Sequence, residues 1–77
     1  LEREREYVQS KADFIHKLSI SQKECNESIY WLELLFNADY ITDPMFTSLK
    51  TDAEELFKML TSIIKTTKSI SQLIINN

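Results

Sequence analysis

No glycine occurs in this chain of 77 residues, and there is a single proline, Pro44. At ordinary usage a chain of this length would carry about five glycines. Without them the usual residues for tight hairpins, bulges and phosphate-cradling loops are missing. The chain is therefore expected to be all-α, with long helices and few connections. Its length allows at most one small domain, and small domains need help from disulfides, metals or association. One cysteine, Cys25, excludes an internal disulfide, and one cysteine with one histidine leaves no structural zinc set. Association with further helices is the remaining support. A lone cysteine also suits a reducing cytoplasm, which is the expected location.

Apolar spacing places the helices. Ile15, Leu18, Cys25, Ile29, Leu32 and Phe36 follow a 3,4 rhythm with Gln22 as its polar exception, which predicts a first helix over about 11–37. Before it, "LEREREYVQ" alternates acid and base. It reads as an exposed helical end or a connection, with Glu2 near Arg5 and Arg3 near Glu6 if helical. Ser10 and Asp13 form a weak capping box where the helix starts or bends. "NADYITDP" then breaks the pattern, because Asn37 and Asp39 both tolerate the left-handed conformation. The second helix has two possible starts: Thr42 as N-cap with an Ile41–Phe46 staple, or Asp43 as N-cap with Pro44 first in the helix. It is expected over about 43–73, with a heptad seam of Phe46, Leu49, Ala53, Leu56, Leu60, Ile63, Thr67, Ile70 and Ile74. So short a connection makes the two helices antiparallel neighbours.

"IYWLELLF" (29–36) is apolar over more than half of a helical circumference. Ile29, Leu32 and Phe36 join the inner stripe, while Trp31, Leu34 and Leu35, with Ile20 on the same flank, point elsewhere. One partner helix covers one stripe. These four residues are therefore expected in inter-helix or subunit packing. No apolar run approaches the ~20 residues of a membrane span, and the charged N-terminal stretch is no signal peptide.

Little here points to catalysis. Asp13 and His16 are spaced as D-x-x-H, but no second histidine accompanies them and they lie off the inner stripe. Cys25 has no base at a neighbouring helical position, so it reads as a small buried hydrophobe. Glu24, Glu27, Glu54 and Glu55 lie on polar faces among lysines. No catalytic, cofactor or metal residue is assigned. Lys50, Lys58, Lys65 and Lys68 share a sector of the second helix and could track phosphates. A net charge of −3 argues against a generic nucleic-acid or membrane-surface binder.

The segments "QSKADFIHKLSI" (9–20), "KECNESIYWLELL" (23–35) and "EELFKMLTSIIKTTK" (54–68) together resemble the bacterial four-helix bundle protein family. Its members include proteins encoded within intervening sequences of large-subunit ribosomal RNA genes. The resemblance covers about residues 9–68. It implies a left-handed, up-down antiparallel bundle assembling as a homopentamer, of which this chain supplies the second half as a helical hairpin; two earlier family helices are absent. Gln22 stands where leucine is common in the family, and Asp39 where glycine is frequent. Most members have no established activity. The implied function is a non-enzymatic, self-associating scaffold or adaptor with protein partners. The alternative is a nucleic-acid-binding accessory protein using the lysine face.

Overall fold

The computed structural model describes residues 2–76, with side chains through residue 74. The described residues form two helices, α1 (Glu2–Asn37) and α2 (Asp43–Asn76), joined by residues 38–42. They pack as an antiparallel hairpin measuring 57 × 15 × 12 Å. This is the expected helical hairpin. The helical reading of the charged N-terminal stretch also holds. α1 starts at Glu2, well before residue 11, because glutamate and arginine are good helix formers and nothing at Ser10 interrupts the ladder. Lys11 lies 5.2 Å from the centroid of the Tyr7 ring, one turn apart on the same face.

The connection is closed at both ends by local chemistry. Asp39 takes the left-handed conformation, with φ 64°. Its N–H donates to the Phe36 carbonyl at 3.0 Å, and the Tyr40 N–H donates to the Leu35 carbonyl at 2.9 Å. This pair of bonds is a Schellman motif, which satisfies carbonyls that a helix end leaves open. On the far side the Met45 N–H donates to Thr42 Oγ1 at 3.3 Å, which decides the start of α2 in favour of Thr42 as N-cap. Asp39→Gly is expected to stabilise the hairpin by about 0.5–1 kcal/mol, since glycine holds φ > 0 without a Cβ clash. A rise in the thermal midpoint followed by circular dichroism would verify it; a fall would show that the Asp39 side chain stabilises the turn.

Across the seam α1 withdraws Ile15, Leu18, Gln22, Cys25, Ile29, Leu32 and Phe36 from solvent, the predicted inner stripe. On α2 the seam differs from expectation. Phe46, Ala53, Leu60 and Thr67 face α1 as predicted. They alternate, however, with Lys50, Phe57, Ile64 and Ser71, not with Leu49, Leu56, Ile63 and Ile70. Those four are between 36% and 49% exposed, and Ile74 is exposed too. The heptad pattern located the centre of the apolar arc of α2. One partner helix occupies only one side of that centre.

The core is thin. Among the described residues only Cys25, Leu60, Ile64 and Thr67 are buried. At the loop end Phe36 and Phe46 stack with centroids 4.5 Å apart and planes at 9°. Cys25 Sγ lies 3.0 Å from the Ala53 carbonyl oxygen, so two small residues bring the backbones close. Further along, the Gln22 amide donates to Thr61 Oγ1 at 2.8 Å, while the Thr61 hydroxyl donates to the Phe57 carbonyl at 3.0 Å. The Thr61 proton is thus engaged within α2, which requires the amide nitrogen of Gln22 to face it. Toward the open end the seam becomes polar, with Thr67 buried and the Ser71 hydroxyl buried without a hydrogen-bond partner.

Candidate interaction surface

The four residues expected in packing are all exposed in the hairpin. Trp31 is the most so at 61%, and Ile20, Leu34 and Leu35 lie near 40%. They turn progressively away from the seam around α1. Leu35 adjoins it, Trp31 follows, and Leu34 and Ile20 point to the back. Tyr30 meets Trp31 edge to face, with centroids 5.8 Å apart. It sits on the other flank of the helix.

The larger uncovered surface belongs to α2 and was only partly legible beforehand. Leu49, Leu56, Ile63 and Ile70 recur one heptad apart, beside the seam. Met45, Met59 and Leu73 extend this row outward and are all exposed. Together with the residues against α1 they make an apolar arc spanning nearly half of the helix. α1 covers half of that arc. The signal for the rest lay in the predicted seam itself, which mixed residues from both sides.

The lysines divide. Lys50 is half-buried at the seam, 3.9 Å from the Glu33 carboxylate and 5.6 Å from the centroid of the Phe46 ring. Its stem thereby covers the loop-end aromatics. Lys58, Lys65 and Lys68 are exposed on the polar side of α2. Asp13 pairs with Lys17 at 2.9 Å on the surface of α1, and His16 is exposed beside it. Among the described residues no group of three or more His, Cys, Asp or Glu side chains could hold a metal ion. Among the described residues no helix is long and apolar enough to cross a membrane.

Comparison with known families settles the lineage. The family model described as 23S rRNA-intervening sequence protein matches residues 3–62. The chain belongs to this family. A similar solved structure is a protein of unknown function from the S23 ribosomal protein family of Bacteroides thetaiotaomicron. It is 53% identical with a TM-score of 0.69, over 78% of this chain and 53% of that one. The present chain thus spans about half the length of its solved relative. No curated protein matches it. The expected intervening-sequence membership is therefore correct, and it extends six residues further toward the N-terminus than the resemblance drawn from residues 9–68.

Proposed function

We propose that this member of the 23S rRNA-intervening sequence protein family is a non-enzymatic, self-associating helical-bundle protein that serves as a scaffold or adaptor. The observation that carries the reading is the half-covered apolar arc of α2. A face rich in leucine, isoleucine and methionine, left open along nearly the whole hairpin, calls for further helices to cover it. Trp31, Leu34 and Ile20 add a second apolar ridge on the back of α1, suited to joining one bundle to the next or to a protein partner. A homopentamer is the closed form that the family resemblance implies.

The nucleic-acid reading has less support. The seam engages Lys50, leaving three lysines in the sector of a chain whose net charge is −3. Self-association is tested by light scattering and sedimentation velocity across a wide range of protein concentration. The expected result is a single assembled species at micromolar concentration. A clean monomer there would remove the reading.

A further inference from the structure

We propose that two polar contacts, Gln22 with Thr61 and Glu33 with Lys50, select the side of α2 on which α1 lies. They thereby set the hand of the hairpin and keep the opposite side of α2 for other helices of the bundle.

The placement of α1 needs a cause that apolar burial does not supply. The arc of α2 has two flanks about a common centre of Phe46, Ala53, Leu60 and Thr67. One flank is Leu49, Leu56, Ile63 and Ile70, and the other is Lys50, Phe57, Ile64 and Ser71. α1 covers the second, although this half-buries a lysine and leaves the Ser71 hydroxyl buried without a hydrogen-bond partner. Apolar area alone favours the first flank. Within a complete bundle area does not decide the matter either. Both flanks are then covered, and exchanging the helices that cover them buries much the same surface. The two placements differ in their polar contacts.

Gln22 and Glu33 lie on the same edge of the inner stripe of α1, and Thr61 and Lys50 on the matching edge of α2. The Gln22 amide donates to Thr61 Oγ1 at 2.8 Å in a partly buried setting. That oxygen can accept because its own proton goes to the Phe57 carbonyl at 3.0 Å. Lys50 Nζ lies 3.9 Å from the Glu33 carboxylate and sits over the Phe46 ring as well. These contacts and the Phe36–Phe46 stack also fix the levels of the two helices. With α1 moved to the leucine flank at the same levels, Gln22 would face Ile63 and Glu33 would face Leu49. Neither offers a side-chain donor or acceptor. A stranded amide and a partly desolvated carboxylate disfavour that placement by on the order of tenfold or more. A polar residue in a helical seam specifies orientation in this way at some cost in stability.

The test is methyl nuclear Overhauser spectroscopy of the whole chain. At the observed levels Leu18 stands opposite Ile64, and on the other flank it would stand opposite Ile63. In the parent the Leu18–Ile64 cross-peak should exceed Leu18–Ile63 by at least about tenfold. In the double variant Gln22→Leu/Glu33→Gln the two should approach equality, with each single variant moving part of the way. The thermal midpoint of Gln22→Leu should not fall, because leucine suits an apolar seam. A contact that merely stabilised the hairpin would lower the midpoint and leave the cross-peak ratio alone. Asp13→Asn breaks the exposed pair with Lys17 and should leave the ratio unchanged. A double variant with the parent's ratio would assign the choice to the connection between Asp39 and Thr42 and overturn the inference. Equal cross-peaks in the parent, or an equal shift in Asp13→Asn, would overturn it too.

Discussion

Leu60→Ala is expected to lower the thermal midpoint of the helical transition by roughly 10–25 °C. Leu60 is one of four buried residues among those described, at 8% exposure, and it sits midway along the seam between Phe57 and Ile64. Large-to-small changes at such positions cost about 2–4 kcal/mol, the lost transfer energy plus a cavity that the neighbours fill only in part. A domain of this size has only ~4–11 kcal/mol of total stability. Chain melting monitored at 222 nm would report the effect. The matched control is Leu56→Ala, because Leu56 is 49% exposed in the hairpin. In an isolated hairpin it should cost under ~1 kcal/mol. If self-association covers this face its cost approaches that of Leu60, and the midpoint depends on protein concentration. A Leu60→Ala melt indistinguishable from the parent would mean that the seam contributes little to stability.

The second large effect is expected at Phe46. Its ring stacks on Phe36, lies beneath the Lys50 ammonium and stands one turn into α2, where Ile41 can staple it. Phe46→Ala should cost about 2–4 kcal/mol, with the half-exposed setting keeping it below a fully buried phenylalanine. A double-mutant cycle with Phe36→Ala isolates the ring–ring share, expected near 0.5–1.5 kcal/mol. Strictly additive losses would show that the two rings act through area alone. Chemical denaturation of the four chains supplies the measurement.

Much of this architecture was legible in the sequence, for identifiable reasons. The inner stripe of α1 was readable because Ile15, Leu18, Ile29, Leu32 and Phe36 contrast sharply with polar neighbours. The connection was readable because Asp39 tolerates the left-handed conformation, the Thr42 hydroxyl can cap a helix and Pro44 has its φ fixed. The seam of α2 was not, because its apolar residues occupy two sides of one arc. Periodicity finds the middle of such an arc; only the position of α1 shows which side is covered. Gln22 could be marked as an exception but not explained, since its partner Thr61 lies on the other helix. Lys50 could not be told apart from the other lysines for the same reason, its acid Glu33 and ring Phe46 being assembled only by the hairpin. The exposed positions of Ile20, Trp31, Leu34 and Leu35 followed from angle alone.

The seam also has a gradient along its length. Next to the five-residue connection lie the stacked phenylalanines and the close approach of Cys25 to Ala53. At the far end lie Thr67, Ser71 and the charged first turns of α1. Contacts near the turn join residues close in sequence, so they close at small entropic cost and each sets the next within reach. The hairpin should therefore form as a zipper that starts at the turn and opens first at the polar end around Thr67 and Ser71, where backbone amide exchange is expected to be fastest.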